Sequence, residues 1–183
     1  GGRLNVSYNC VDRHLTEHRN KAALIWVSEQ EDEADQAITY QELYVRVNEF
    51  ASLLRDWAGV KAGDRVTFHM PMVPELPVAM LACARLGAVH SQVFGGFSGS
   101  ACGDRIVDSE SRVLVTMDAY WRGGQLLDHK AKADEAVEQA AKGGVKVDKV
   151  LVWRRDPGKY FSQTLMVEGR DYFVDELLKE HRG

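Results

Sequence analysis

Four consecutive apolar residues, Leu24-Ile25-Trp26-Val27, rise out of a polar preamble and predict a strand over 22–28, because such side chains favour a pleated, packed surface. An unbroken apolar run of this kind predicts burial on both faces. Asn9 to Arg19, upstream, is polar and helix-tolerant, with few positions to bury. Glu29 to Asp35 holds five carboxylates; such a run suits a cation site or a solvated hairpin loop, and its self-repulsion favours the loop. Ala37-Ile38 is then the returning strand.

Thr39-Tyr40-Gln41-Glu42 matches a capping box. In the helix it opens, Leu43, Val47, Phe50, Leu54 and Trp57 recur at i, i+4, i+7, i+11 and i+14, one apolar stripe. Gly59 and Gly63 end that helix and its following turn. From Asp64 the pattern alternates. Strands are predicted over 65–70, 88–94, 112–116 and 149–153, with helices over 74–86, 98–109 and 126–141 between them. Pro74 and Pro77 sit in or near a helix's first turn, where a missing N–H costs little. Residues 154–170 read as loop, and 171–181 as a last short helix. Strands separated by helices imply right-handed crossovers and an α/β fold, a mostly parallel sheet with helices on both faces. The sequence divides at Gly63 into 1–63 (helix, hairpin and long amphipathic helix) and 64–183 (the α/β unit), one continuous stretch of domain.

Composition narrows the function classes. With 183 residues, 45% hydrophobic and 27% charged, the chain has ordinary globular usage and a net charge of −4, which argues against nucleic acid held by net charge. No apolar run approaches the ~20 residues needed to span a bilayer, and Gly1-Gly2-Arg3 opens no signal-peptide core. Cys10, Cys83 and Cys102, odd in number and scattered, read as buried thiols in a reducing compartment. The expected setting is the cytoplasm.

Three motifs carry candidate chemistry. His14-Leu15-Thr16-Glu17-His18 is H-x-x-E-H, a zinc pattern when helical. Nothing downstream identifies a third ligand, so no metal site is assigned. Phe94-Gly95-Gly96-Phe97-Ser98-Gly99 is a glycine-rich turn between strand and helix, where backbone N–H groups and a helix N-terminus can face an anion. It serves equally as a tight turn closed by an N-cap at Ser98. Tyr120-Trp121-Arg122-Gly123-Gly124-Gln125 also follows a predicted strand and precedes a predicted helix. Its guanidinium can reach a phosphate and its indole offers a stacking face, although arginine beside glycine is common in plain turns.

The longer runs carry a resemblance. Asn9-Cys10-Val11-Asp12-Arg13-His14-Leu15, Ile38-Thr39-Tyr40-Gln41-Glu42-Leu43 and Met70-Pro71-Met72-Val73-Pro74-Glu75 resemble the amino-terminal part of AMP-forming acetyl-CoA synthetases. The run from Ala79 to Ser91, Val93 to Ser98, Arg105-Ile106-Val107-Asp108 and Gly169-Arg170-Asp171 extend it in register. The resemblance implies the first part of the large domain of an adenylate-forming ligase. Such an enzyme uses ATP and Mg²⁺ to turn a short acid, acetate or propionate, into an acyl-adenylate, and then passes the acyl group to CoA. It implies that the ATP and Mg²⁺ sites lie outside this chain, leaving it inactive alone. Its partners are then small-molecule substrates and the rest of the parent chain. The family's CoA-binding stretch matches Arg122, Gly123, Gly124 and Gln125, with Gln125 standing where the family often has a second cation. Gly95 and Gly96 match the turn that lines its CoA channel. His18 is not part of the resemblance. The rival reading is a non-catalytic nucleotide- or CoA-binding α/β module.

Overall fold

A computed structural model describes residues 4–181; Gly1 to Arg3, on which the reading of the chain's start fell, lie outside the described residues. Two compact units make up the chain: residues 1–63 with 73–89, and residues 64–72 with 90–183.

In the first unit, α1 (Val6–Cys10), a 3₁₀ turn (Asp12–His14) and α2 (Leu15–His18) precede β1 (Ala22–Trp26) and β2 (Gln36–Thr39), which pair antiparallel. The burial expected on both faces of β1 is absent: Ile25 is 72% exposed, and Val27, just beyond the strand, is also exposed. A sheet of only two strands leaves Ile25 on an uncovered face. Then comes α3 (Tyr40–Ser52), opened by the expected capping box. The Thr39 N–H donates to Glu42 Oε2 (2.7 Å), and the Glu42 N–H donates to Thr39 Oγ1 (3.2 Å). Leu43, Val47, Phe50 and Leu54 are buried as the stripe requires, but Trp57 is only half-buried. A π-turn over Leu53–Trp57, with the Ala58 N–H reaching back to the Leu53 carbonyl, shifts the period there. Helix α4 (Glu75–Leu86) starts after Pro74 and stops at Gly87, whose φ is +72°. It is tied to the amino-terminal segment by Asn5 Nδ2 donating to the Ala84 carbonyl (2.9 Å) and by an Arg85–Asp12 ion pair.

In the second unit a five-stranded sheet has the order β4-β3-β5-β8-β9, formed by β3 (Arg65–Met70), β4 (Val89–Phe94), β5 (Val113–Met117), β8 (Lys149–Trp153) and β9 (Asp171–Phe173). Strands β3, β5, β8 and β9 pair in parallel. Every residue of β5 is buried, as expected for a parallel strand inside an α/β fold. Helix α5 (Gly99–Ser109) and helix α6 (Lys130–Lys142) share a core with it through Cys102, Ile106, Leu114, Ala133, Ala136, Ala140, Val150 and Val152. Their axes approach closely: a Cβ on Gly103 would meet Gln139 Cβ at 2.5 Å and the Ala136 carbonyl oxygen at 2.7 Å.

Three further expectations need correction. Leu126 does not begin a helix. Residues 119–128 form an antiparallel hairpin, β6 (Ala119–Arg122) and β7 (Gln125–Asp128), and α6 starts only at Lys130. Gly123 and Gly124, with φ of +59° and +72°, make its two-residue turn, and residues with positive φ at both positions suit the right-handed twist of paired strands. The last helix starts late too, because Asp171–Phe173 joins the sheet as β9 before α7 (Val174–Glu180). Cys10 is exposed rather than buried; burial pushes the Cys83 and Cys102 thiols up, each to about 12.

Two histidines lie entirely inside this second unit. The His69 and His129 rings sit 4.5 Å apart, and His129 Nε2 lies 2.9 Å from the His69 carbonyl oxygen. Burial, then the Lys132 charge, pushes His69 down to about 4; burial, then His69 itself, pushes His129 down to about 3. Both are therefore neutral in the fold, while the unfolded chain protonates them below about 6.5. Falling pH favours unfolding from 6.5 until the folded form also takes up the protons, near 4 and 3. Between pH 6.5 and 5 this costs about 2 kcal/mol per histidine. His129→Leu should flatten that slope by roughly one histidine's share in urea denaturation at pH 7 and pH 5; an unchanged slope would show that His129 does not report the acid sensitivity.

Candidate functional site

The β6–β7 hairpin is fixed at its base by one buried carboxylate. Asp118 Oδ1 accepts from the N–H groups of Ala119 and Arg155, both at 2.8 Å, and Oδ2 accepts from that of Phe161 at 3.0 Å. Its own N–H donates to the Trp153 carbonyl, and its carbonyl accepts from His129 and Lys130. Burial raises the Asp118 carboxyl above its ordinary pKa, and the three N–H donors oppose that shift without cancelling it. Asp128, paired with Ala119 at the same base, accepts from Ala131 N–H (3.1 Å), Ser162 Oγ (2.8 Å) and Gln163 N–H (3.0 Å). The hairpin tip is thus carried on a doubly anchored frame.

That tip meets the glycine turn. The Phe97 N–H donates to the Phe94 carbonyl at 2.9 Å, closing the turn around Gly95-Gly96. A Cβ on Gly96 would come within 2.6 Å of Arg122 Nη1 and 2.5 Å of Phe94 Cε1. The Arg122 guanidinium also lies 5.8 Å from the centroid of the Phe94 ring, and Phe94 packs edge-on against Phe97 at 5.9 Å. Both phenyl groups are partly exposed, at 52% and 42%, and Arg105 covers the Phe97 ring at 5.0 Å. A planar aromatic or nucleobase-sized group therefore finds ring faces and guanidinium groups together. Arg122 and the Gly95-Gly96 turn, separate in sequence, are brought together. A Cβ on Gly123 or Gly124 would meet nothing within 4 Å, and Gln125 stands opposite Arg122 across the hairpin.

The α5 N-terminus, by contrast, is already satisfied. Ser98 Oγ accepts from Ala101 N–H at 3.2 Å, as the N-cap reading requires, and Glu135 Oε1 accepts from Ser100 N–H at 3.0 Å. A protein carboxylate thus occupies the place where a helix end would otherwise attract an external anion.

Two contacts at the site are not visible in the sequence. Tyr120 Oη and Lys132 Nζ both donate to the Gly95 carbonyl, at 3.3 and 3.2 Å. The signal for Tyr120 was present: aromatic and apolar residues flanking Gly-Gly are a hairpin pattern. Lys132 had none, because only the packing of α6 brings it to the turn.

His14 and His18 stack at 6.2 Å, but they belong to the 3₁₀ turn and to α2 rather than to one continuous helix. His14 Nε2 lies 3.1 Å from the Asn9 carbonyl oxygen. Among the described residues no group of three or more His, Cys, Asp or Glu side chains is placed to hold a metal ion, and no helix is long and apolar enough to cross a membrane.

The α/β sheet thus carries a glycine turn at the end of one strand, and a neighbouring hairpin delivers an arginine to it. Residues 11–170 match the model of the AMP-binding enzyme family, and the chain belongs to that family. It is 50% identical over 175 residues to the acetyl-coenzyme A synthetase of Rhizobium rhizogenes, covering 96% of this chain and 26% of that protein. It is 49% identical to the enzyme of the same description from Bartonella quintana, with the same coverage. A 3-hydroxypropionyl-coenzyme A synthetase from Sulfurisphaera tokodaii is 47% identical over 180 residues, 98% of this chain and 26% of that protein. The chain spans about a quarter (26%) of the length of these curated relatives.

The two glycines of the turn should respond differently to a methyl group. On Gly95 a Cβ would meet backbone, the Met70 carbonyl oxygen at 2.9 Å, and Gly95→Ala should cost about 1–3 kcal/mol in denaturant unfolding. On Gly96 it would meet only the ends of the Phe94 and Arg122 side chains. Gly96→Ala should leave the unfolding midpoint nearly unchanged while displacing Arg122. Equal destabilisation by the two substitutions would contradict this geometry.

Proposed function

We infer that the chain is part of an ATP-dependent, AMP-forming ligase that activates a short carboxylate to an acyl-adenylate and transfers the acyl group to CoA, and that its own contribution is a grip on the nucleotide end of CoA. The observation that carries this reading is the Arg122 guanidinium beside Gly95-Gly96 and the Phe94 ring, without an ion pair to any carboxylate among the described residues. An unneutralised guanidinium at an exposed turn suits a phosphate, because its fork matches phosphate geometry and it stays charged at any working pH. Phe94 and Phe97 offer ring faces for the base. The names of the relatives agree with a short acid as the other substrate, with acetate or propionate the proposed choices. The groups that hold ATP and Mg²⁺ are proposed to lie elsewhere in the parent protein, and no step of the adenylation is assigned to residues described above.

The test is a comparison of half-reactions in the full-length protein. Arg122→Ala should lower kcat/KM for CoA about ten-fold, the low end of the loss of a hydrogen bond to a charged group, since the site is solvent-exposed. Acetate-dependent pyrophosphate exchange should be nearly untouched. Gln125→Arg should act in the opposite direction and lower KM for CoA. Equal losses in exchange and thioester formation would instead mark Arg122 as a folding residue and remove the CoA assignment.

A further inference from the structure

Gln125 leaves the hairpin with one cation, Arg122, directly across from a neutral residue. A second cation at that position would form a like-charge cross-strand pair, unfavourable until an anion arrives. The fold supplies a positive charge from another direction. Lys132, on the first turn of α6, extends its ammonium to the same turn and donates to the Gly95 carbonyl at 3.2 Å.

Its position is not explained by helix stability. The first turn of α6 contains no acidic residue, and a cation at a helix N-terminus opposes the macrodipole. Lys130, two residues before it, is neutralised inside the protein by Asp134 (2.9 Å) and Asp171 (2.8 Å). Lys132 has no such compensation: its contacts among the described residues are the Gly95 carbonyl and the Tyr120 ring, 6.0 Å away, with no carboxylate in ion-pair range. Glu135, one turn along, spends its Oε1 on Ser100 N–H. An ammonium carries three donors, and one of Lys132's goes to Gly95.

We propose that Lys132 is the second cation of the nucleotide grip, placed by α6 so that its charge and that of Arg122 flank the Gly95-Gly96 turn and together hold a phosphate of the incoming CoA. This rests on the CoA reading above. It assigns to α6 the charge that Gln125 lacks, and it makes the affinity depend on two elements, the hairpin and the helix.

The experiment uses the full-length protein and CoA itself, with Lys132→Met, Lys132→Gln, Lys132→Arg and Arg122→Ala measured side by side. Lys132→Met and Lys132→Gln should raise KM for CoA about five-fold, as for a partly exposed charged contact, and leave pyrophosphate exchange unchanged. The deficit should shrink as salt is raised, because the lost interaction is a screened charge. Lys132→Arg should stay close to the parent. If Arg122→Ala raises KM for CoA and the Lys132 variants do not, Lys132 is no part of the grip, although the CoA reading survives. If Arg122→Ala also leaves the CoA step untouched, that reading itself fails. Loss of both half-reactions in Lys132→Met and Lys132→Gln, or a Lys132→Arg protein that behaves like them, would make Lys132 a structural prop and overturn the proposal.

Discussion

The second unit is organised around the Asp118 carboxylate. One side chain with no exposure to solvent accepts three backbone N–H groups from the hairpin base, the end of β8 and the loop beyond it. Hydrogen bonds to a charged acceptor contribute about 1.5–3 kcal/mol each, and a buried acceptor left without them is correspondingly costly. The hairpin is a two-stranded ribbon, an element marginal in water by itself. Its direction therefore depends on this anchorage and on Asp128, which closes the same base from the second strand. Because Arg122 lies at the hairpin tip, the cation that meets the glycine turn is aimed from residues far from the turn in sequence.

A second layer of support comes from charges buried behind α6. Lys130 and Asp171 have fully buried side chains and pair at 2.8 Å, with Asp134 and Arg170 completing the cluster. Burial alone would raise the Asp171 carboxyl, but Arg170 and Lys130 together hold it below its usual range. The cluster ties β9 to the start of α6. Together with the Gly103 contact against Ala136 and Gln139, it sets the register of the helix that bears Lys132. Such pairs add specificity of arrangement more securely than net stability.

Much of this was legible in the chain. The capping box at Thr39, the stripe from Leu43 to Leu54, the Ser98 cap and the alternation of strands and helices follow local rules of period and hydrogen bonding, and the structure reproduces them. The hairpin is hidden in the sequence because Leu126 and Leu127 suit a helix face as well as a strand, and Gly123-Gly124 fits a strand-to-helix loop as well as a hairpin turn. The β9 segment is three residues long, too short for a period to appear. At the site, Arg122 and Gly95-Gly96 were identified separately, and their meeting was not. Lys132 and Asp118 were invisible for the same reason: each acquires its role from partners 37 or more residues away, Gly95 in one case and Arg155 and Phe161 in the other.

Glu135 has a consequence for how such a site varies. With its carboxylate already on the α5 N-terminus, the backbone has little to offer an arriving anion there. A backbone cradle survives most side-chain replacements unchanged, since its donors belong to every residue alike. Recognition entrusted instead to the tips of long side chains is exchangeable: one codon change adds, removes or relocates a charge without disturbing the sheet beneath.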